Sequence, residues 1–369
     1  MKIQIPRKMK KLAYKSGILL AAAMFLFGTT LPAQEEVTKE FNKEYNVDKS
    51  SALEISNRYG DVIVEASQAD KVIIHVKVTV KYPNRERAER LLGYIDVQFS
   101  EEGSNLKART VIDDKFNFSG WGGDSRKFTI DYLVKVPPSL SLTVYNRYGD
   151  TDLDDLTGFV NMDIKYGNLT AGRLLRGNEK PLSKINVTHG KASIDEAGWL
   201  DVTLRYSGSF ALLKCQALLI DSKYSTLTIG TVSSLVGESS YDGRYRIENI
   251  NNLIIDEGYS NVTVGTLTKK LTVDASYGSF GADVVKADFE SIVVDTRYAS
   301  VRLGIEESAS YNLDARLSYG SLKYNEDNFV NKRRIVENTS TEVSGIVGKE
   351  ESPKANAKIN GSYATVKLY

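Results

Sequence analysis

A tyrosine followed by a small residue recurs about every 18 positions from Tyr148 to the C-terminus. A fixed period this short, carried by β-type residues, is typical of a chain whose successive turns stack on one another. The sequence therefore predicts an all-β parallel β-helix, or β-solenoid, with about 18 residues per rung. The recurring pairs are Tyr148-Gly149, Tyr166-Gly167, His189-Gly190, Tyr206-Ser207, Tyr224-Ser225, Tyr241-Asp242, Tyr259-Ser260, Tyr277-Gly278, Tyr298-Ala299, Tyr319-Gly320 and Tyr363-Ala364.

The residues around each tyrosine predict which side chains face the core. With the tyrosine as position 0, positions −4 and −6 are apolar, as in Val144 and Leu142. Because side chains alternate along a strand, these residues should share a side with the tyrosine. Positions +3, +5 and +8 are also apolar, so the small residue at +1 is expected to form a corner. We therefore expect the tyrosine rings to point inward with the core residues and to pack in a stack. The alternative is that they form an aromatic platform for sugars.

Two rungs carry an extra residue after the corner, and they test this phasing. Ser207-Gly208 and Asp242-Gly243 each move the apolar set by one place, yet the next tyrosine still follows 18 residues on. Cys215 falls on one of the shifted inward positions. We expect it to behave as a small buried hydrophobic residue and not as a reactive thiol.

The N-terminus has the features of a cleaved export signal. Six basic residues precede or begin an uncharged apolar run from Gly17 to Phe27, and Pro32-Ala33 ends the segment. The alternative, a membrane anchor, would need roughly 20 apolar residues. Cleavage after Ala33 removes six basic and no acidic residues, which leaves 42 Lys and Arg against 47 Asp and Glu. This acidic balance suits an exported protein and argues against a nucleic-acid partner.

The two ends of the mature chain depart from the repeat. Residues 34–140 contain a first rung at Tyr59, then a long strand, a short helix over Pro83–Leu92 and further strands. We expect this segment to form an N-terminal cap over the first rung, since exposed strand edges invite aggregation. Residues 141–324 are the regular repeats. Residues 325–369 are expected to form a polar loop followed by a final C-terminal rung, Lys358–Tyr369.

The sequence shows little that points to catalysis or metal binding. The chain has two histidines, and His75 lies on the outward phase of its strand. Zinc would need more Cys and His than the chain has. The acidic run at Asp150, Asp152, Asp154 and Asp155 lacks the Gly and Glu of an EF-type calcium loop, so a solvated turn is expected instead. We therefore expect no catalytic residues, no metal and no cofactor.

One irregular loop, residues 113–127, carries three aromatic rings among glycines. Loops on a rigid scaffold often make functional contacts. Phe116, Phe118 and Trp121 are therefore candidates for contact with a partner; the alternative is that they fold back over the cap or the first rung.

The motifs together resemble those of the exported bacterial β-strand-repeat proteins known as putative adhesins, a domain family of unknown function. The resemblance rests on the signal segment, the corners Asn-Arg-Tyr-Gly-Asp (57–61 and 146–150) and Lys-Tyr-Gly-Asn (165–168), and the insertion AERLLGYIDV (88–97). It covers nearly all of the mature chain. It implies a non-enzymatic protein of the periplasm or cell surface, and it supplies no catalytic residues.

The sequence thus favours an exported, non-catalytic β-solenoid that presents an extended polar surface. An adhesin-like binding role or a structural role in the cell envelope would follow, with a protein or a glycan as partner and no transmembrane span after signal cleavage. Two alternatives stay open: a carbohydrate-active parallel β-helix enzyme, and an envelope sensor or assembly accessory protein.

Overall fold

Parallel strand pairing at a nearly constant sequence offset dominates this fold. The computed structural model describes residues 35–116 and 127–369. In this part of the chain, which is almost entirely β, 26 strands belong to one long, mostly parallel sheet. The export signal expected at residues 1–33 lies outside the described residues.

The repeats occupy the middle of the chain, and each strand pairs in parallel with its equivalent in the next rung. Val144 pairs with Met162, for example, and Leu235 pairs with Leu253. The strands are β8 (Ser141–Arg147), β9 (Thr151–Leu153), β10 (Val160–Lys165), β11 (Leu169–Leu174), β12 (Ser183–Thr188), β13 (Lys191–Arg205), β14 (Ser209–Lys223), β15 (Thr226–Ser240), β16 (Arg244–Gly258), β17 (Asn261–Ser276), β18 (Ser279–Val285), β19 (Ser291–Arg297) and β20 (Ser300–Ile305).

The core consists of the apolar positions that the repeat predicts. Val144, Leu142, Leu169 and Ala171 are buried, as are their equivalents in the other rungs. The shifted rungs follow the same rule, since Phe210, Leu212, Cys215, Tyr245, Ile247 and Ile250 are all buried. The inward register predicted from the sequence is therefore confirmed, including its displacement after Ser207-Gly208 and Asp242-Gly243.

Strands of the N-terminal segment lie along the first rung. β6 (Asn105–Ile112) pairs in parallel with β2 (Ala52–Arg58), and β7 (Lys127–Val136) pairs in parallel with β3 (Val62–Ala66). β4 (Lys71–Tyr82) pairs antiparallel with both β1 (Glu35–Asn46) and β7. The short helix begins after Asn84, whose side chain accepts a hydrogen bond from the Arg87 backbone N–H. The elements are β1 (Glu35–Asn46), β2 (Ala52–Arg58), β3 (Val62–Ala66), β4 (Lys71–Tyr82), α1 (Arg85–Leu92), β5 (Ile95–Glu102), β6 (Asn105–Ile112) and β7 (Lys127–Val136).

The C-terminal segment differs from the expectation in two ways. β25 (Ala355–Ser362) pairs with β19 on one side and with β21 (Tyr311–Ser318) on the other. The rung that comes last in the sequence is therefore the second-to-last rung of the stack. Most of the expected polar loop is the antiparallel pair β23 (Phe329–Glu337) and β24 (Ser340–Val347), and β24 covers the outer edge of β21. The elements are β21 (Tyr311–Ser318), β22 (Ser321–Lys323), a 3₁₀ turn (Glu326–Asn328), β23 (Phe329–Glu337), β24 (Ser340–Val347), β25 (Ala355–Ser362) and β26 (Thr365–Leu368).

Both differences have a physical reason. Every rung has the same inward pattern, so the pattern does not say which neighbouring rung a strand joins. β23 is exposed along most of its length, so it lacks the alternation of buried and exposed residues that marks a strand in sequence.

The corners of successive rungs touch through their backbones. A Cβ atom added to Gly149 would lie 1.9 Å from the Gly60 carbonyl oxygen, and one added to Gly167 would lie 1.9 Å from the Gly149 carbonyl oxygen. At these glycine corners a methyl group cannot be accommodated unless the rungs move apart. Close backbone contact therefore explains Gly149 and Gly167, whereas Ser207, Asp242 and Ala299 carry a Cβ at the same position of other rungs.

We expect Gly149→Ala to lower the free energy of unfolding by about 1–3 kcal/mol, the usual cost of an overpacked site. Gly208→Ala is the matched control, because the nearest atom to its added Cβ, Lys191 Cε, is 3.9 Å away. Chemical denaturation of the two variants measures the difference. Equal stability of the two variants would contradict the proposed corner contact.

Candidate functional site: an aromatic ladder

Among residues 35–116 and 127–369, twelve aromatic rings stack in one continuous row along the corners of the rungs, and we call this row the ladder. Neighbouring ring centroids are 4.8–5.2 Å apart, and neighbouring ring planes differ by 4–22°. The spacing matches the distance between hydrogen-bonded strands, about 4.8 Å. The ladder runs through Tyr59, Tyr148, Tyr166, His189, Tyr206, Tyr224, Tyr241, Tyr259, Tyr277, Tyr298, Tyr363 and Tyr319.

The ladder lies at the surface, which corrects the expectation that its rings pack in phase with the core. The ten tyrosines from Tyr148 onward are 43–59% exposed. The reason is the backbone, because every ladder residue has a positive φ, between 50° and 66°. The left-handed conformation turns the ring outward at the corner and shifts the alternation by one residue. The sequence pattern predicted the turn at the small residue after the tyrosine, whereas the structure has it one residue earlier, at the tyrosine itself.

The ladder residues are held in a conformation that is unfavourable for their type. A left-handed φ costs roughly 1–2 kcal/mol for a residue with a Cβ, and glycine adopts it freely. Stacking between aromatic rings returns about 0.5–1.5 kcal/mol per pair. An inner ring such as Tyr241 has two stacking partners, Tyr224 and Tyr259, so its contacts can offset the strain.

Hydrogen bonds between rungs hold the corners in register and explain the Asn and Asp of the corner motif. The buried Asn146 amide donates to the Gly60 and Gly149 carbonyls, at 3.2 and 3.1 Å. At position +2, the Asp150 carboxylate accepts the Asn168 backbone N–H at 2.8 Å. Asp61 accepts the Asp150 N–H in the same way. These hydrogen bonds link neighbouring corners and so hold the ladder residues in position.

In the middle rungs a buried carboxylate occupies the corner. Asp242, at position +1, is almost fully buried; its Oδ1 accepts the Ser225 backbone N–H and its Oδ2 accepts the Ser222 and Ser239 hydroxyls. Burial raises the pKa of Asp242, and these hydrogen bonds oppose the rise.

Glu257 is the second buried carboxylate beneath the ladder. Its Oε2 accepts the Ser260 backbone N–H at 3.3 Å, while its Oε1 has no hydrogen-bond partner among the described residues. Burial raises the pKa of Glu257 to about 7, so its carboxyl group changes charge near neutral pH.

The ring faces are not available to a ligand along the length of the ladder. Each inner ring is covered on both faces by its neighbours at about 5 Å, which leaves no space for a sugar ring between them. The exposed part of each tyrosine is therefore its edge and hydroxyl group. The arrangement offers a row of hydroxyl groups, interrupted by the imidazole of His189, with a repeat of about 5 Å along the axis.

Phe116 lies at one end of the ladder and is buried. Its ring is 4.9 Å from that of Phe128, which in turn lies 5.1 Å from Tyr59. Phe116 is 3% exposed, and its position favours the alternative that this loop folds back over the first rung. Phe118 and Trp121 lie outside the described residues, so their role in binding stays a prediction.

The remaining candidate residues have structural surroundings. The Cys215 thiol is buried, and burial raises its pKa to about 12, which is consistent with an inert side chain. His75 Nδ1 lies 2.7 Å from Asn42 Oδ1 on the outer side of its strand.

The carboxylates of the acidic run after Tyr148 contact different neighbours and do not converge on one point. Asp154 accepts the Ala66 backbone N–H, and Asp155 binds Arg173 through a charged hydrogen bond that lowers the Asp155 pKa. Within residues 35–116 and 127–369, no group of three or more His, Cys, Asp or Glu side chains could hold a metal ion. In the same ranges, no helix is long and apolar enough to cross a membrane.

No family model and no curated protein matches this chain. Similar solved structures include a putative cell adhesion protein from Clostridium sporogenes, with 10% identity, a TM-score of 0.18 and coverage of 90% of this chain and 99% of that one. A putative adhesin from Bacteroides fragilis has 11% identity, a TM-score of 0.26 and coverage of 90% and 97%. A putative lipid binding protein from Parabacteroides distasonis has 10% identity, a TM-score of 0.32 and coverage of 89% and 96%. The names of the first two structures agree with the resemblance seen in the sequence.

Replacement of a ladder tyrosine tests the balance of strain and stacking. We expect Tyr241→Ala to lower the free energy of unfolding more than Tyr241→Gly, by about 1 kcal/mol, because only glycine relieves the left-handed φ. The control is Thr272, an exposed strand residue outside the ladder, where Ala should be more stable than Gly. Thermal unfolding measures both pairs, and the same order at both sites would contradict the role given to φ.

Glu257 should make stability depend on pH. Because its folded-state pKa of about 7 lies above the ordinary value of 4.5, the folded state holds its proton more tightly than the unfolded state. The stability contributed by this proton is complete below about pH 4.5 and is lost as pH rises through about 7. We expect Glu257→Gln to raise the melting temperature at pH 8 relative to the wild type and to leave a smaller difference at pH 5. Glu238→Gln, at an exposed site, is the control, and equal effects of the two substitutions at pH 8 would contradict the assignment.

Proposed function

We propose that this chain is an exported, non-catalytic β-solenoid whose ladder binds an extended polymer of the cell envelope. The observation that carries the proposal is the ladder itself: twelve successive corners hold an aromatic residue in a left-handed conformation that glycine would adopt without strain. Strained residues of this kind point to function when the surrounding structure maintains them. Stability alone does not require that the rings be half-exposed.

The ends of the sheet support the solenoid architecture. β6 and β7 cover the free edges of the first rung, while β23 and β24 cover the edge of the last rung in space. We propose that both segments are caps, because a stack of parallel strands would otherwise present unpaired backbone groups at each end. An exported chain without disulfides would depend on such caps to stay unassociated at its ends.

The geometry of the ladder favours a particular kind of partner. Since the ring faces are covered, recognition depends on hydroxyl groups and ring edges, which form hydrogen bonds. A regular row of hydroxyl groups suits a polymer with regularly spaced polar groups, and we propose a glycan strand that runs along the ladder. A partner at the periplasmic or outer face of the envelope is consistent with the sequence features of the N-terminus.

The enzyme alternative has less support. Three residues before the ladder residue, the five rungs from Tyr224 to Tyr298 carry one acidic side chain each: Asp221, Glu238, Asp256, Asp274 and Asp295. A glycoside hydrolase needs two carboxyl groups on either side of one bond, about 5–10 Å apart and accessible to substrate. An evenly spaced strip fits binding better than cleavage.

A binding experiment with residues 34–369 and purified envelope glycans tests this function. We expect the triple substitution Tyr224→Phe, Tyr241→Phe and Tyr259→Phe to weaken binding by about 100-fold, if each hydroxyl contributes about 1 kcal/mol. The stacking and the fold should remain, as circular dichroism would show.

Tyr369→Phe is the matched control, because Tyr369 is exposed but lies outside the ladder. Equal binding by the triple variant and the wild type would contradict the ladder as the site. Absence of binding to any envelope glycan would contradict the proposed ligand class, and turnover of a polysaccharide would contradict the absence of catalysis.

A further inference from the structure

A half-open cavity lies at the C-terminal end of the stack, where the rung at Tyr319 is incomplete. β21 and β22 form two sides of this rung, and the chain then leaves the stack at Tyr324 and enters the 3₁₀ turn. The cap strand β24 pairs with β21, whereas β22 pairs only with β26 among the strands of residues 35–116 and 127–369. The cavity has a volume of about 430 Å³, within the usual range of about 300–1,000 Å³ for ligand sites.

More than half of the residues that line this cavity are apolar or aromatic. Tyr311 and Leu313 contribute inward-facing side chains of β21, and Leu368 contributes one of β26. Phe329 and Val347 belong to the two cap strands. Because burial of apolar surface is favourable, such a wall favours a ligand with a hydrocarbon part.

Tyr324 adds a polar group to the wall. Its hydroxyl oxygen is buried and has no hydrogen-bond partner among the described residues. The Phe329 ring lies 5.4 Å from the Tyr324 ring, and Lys332 Nζ lies 5.8 Å from the centre of the Tyr324 ring. A buried hydroxyl group without a partner is costly, so its presence calls for an explanation. An acceptor atom on a bound ligand would satisfy it.

Two lysines line the same cavity and have no acidic partner. Lys323 of β22 lies directly opposite Lys367 of β26, which in turn lies opposite Arg302 of β20. In the part of the chain that the structure describes, no carboxylate lies within 4 Å of these three basic groups. Like charges directly opposite one another destabilise a sheet. The basic column therefore favours a ligand with an anionic group.

The acidic groups around the cavity do not cancel this charge. Glu306 accepts hydrogen bonds from Lys286 Nζ at 2.7 Å and from a backbone N–H at 2.9 Å. Glu307 is exposed, and the backbone oxygen of Tyr369 accepts the Ile305 N–H at 2.9 Å. The basic side chains around the cavity outnumber these groups, and they are Lys286, Arg302, Lys323 and Lys367.

We propose that this cavity binds a free fatty acid, which combines one hydrocarbon chain with one carboxylate. The hydrocarbon chain lies against Tyr311 and Leu313. The carboxylate accepts the Tyr324 hydroxyl group and faces Lys323 and Lys367, since hydrogen bonds to ionised groups are the stronger ones. A cavity near the lower end of the usual range suits one hydrocarbon chain and not a two-chain lipid. The inference goes beyond the proposed glycan contact and does not depend on it.

Isothermal titration calorimetry of residues 34–369 with decanoate tests the inference. The probes 1-decanol and decyltrimethylammonium have the same chain length but a neutral and a cationic head group. We expect one decanoate per chain, at least about tenfold weaker binding of decanol, and no binding of the cation, because only decanoate matches the basic column. Absence of decanoate binding would overturn the proposal, as would equal binding of decanoate and decanol.

Chain length tests the apolar wall separately from the head group. Each methylene group that is buried should strengthen binding by about fourfold. Octanoate should therefore bind about 15-fold more weakly than decanoate. Equal affinity of the two acids would show that the hydrocarbon chain is not buried and would overturn the proposal.

Tyr324→Phe locates the site, because it removes a hydroxyl group that has no partner in the protein alone. Without ligand, the melting temperature should not fall, while decanoate should bind at least about tenfold more weakly. A lower melting temperature without ligand would show that the hydroxyl group has a partner within the protein, and this result would overturn the proposal. Wild-type decanoate affinity would do so too.

The double substitution Lys323→Ala and Lys367→Ala tests the basic column in the same way and should also weaken decanoate binding by at least about tenfold. The matched control is Lys354→Ala with Lys358→Ala, because both lysines are exposed and neither lines the cavity. The control should bind decanoate as the wild type does. Equal affinities of the two double variants would overturn the proposal.

Discussion

At each corner the backbone of one rung lies directly on the backbone of the next, and the rest of the structure depends on this contact. The contact is close enough that a single added methyl group at Gly149 would overlap the Gly60 carbonyl group. It fixes the rung spacing near the distance of hydrogen-bonded strands and holds the strands in register. With the register fixed, every outward position becomes a straight column of side chains. The ladder, the polar corner residues and the charged columns all follow from that geometry.

The left-handed tyrosine is the second consequence of the corner. It turns the ring outward and places the following small residue in the tight contact between rungs. Neighbouring rings then stack, which offsets part of the strain of the turn. The same stacking covers the ring faces, so the surface available for recognition consists of hydroxyl groups and ring edges. One aromatic residue in each rung thus carries the backbone strain, makes the stacking contacts and presents its hydroxyl group or ring edge at the surface.

Much of this fold can be predicted from the sequence, because the apolar spacing repeats and buried positions alternate. Even the displaced inward set at Phe210 and Leu212 follows from that spacing. The orientation of the ladder does not, since a tyrosine with a positive φ is rare and glycine is the usual residue for such a turn. The position of β25 between β19 and β21 is equally unpredictable from the sequence, because all rungs share the same pattern of apolar residues. Burial of Glu257 and Asp242 also goes against the ordinary preference of charged residues for the surface.

The central claim, one in-register stack of rungs, is best tested by a distance measured across several of them. Spin labels at Thr143→Cys and Thr272→Cys, in a Cys215→Ala background, would lie in one column seven rungs apart. At about 4.8 Å per rung, the backbone positions should be roughly 34 Å apart. Double electron–electron resonance at high ionic strength, with one labelled chain diluted in unlabelled protein, should give a single narrow distribution near that distance. A broad distribution, or a distance shorter by several rungs, would contradict the stack.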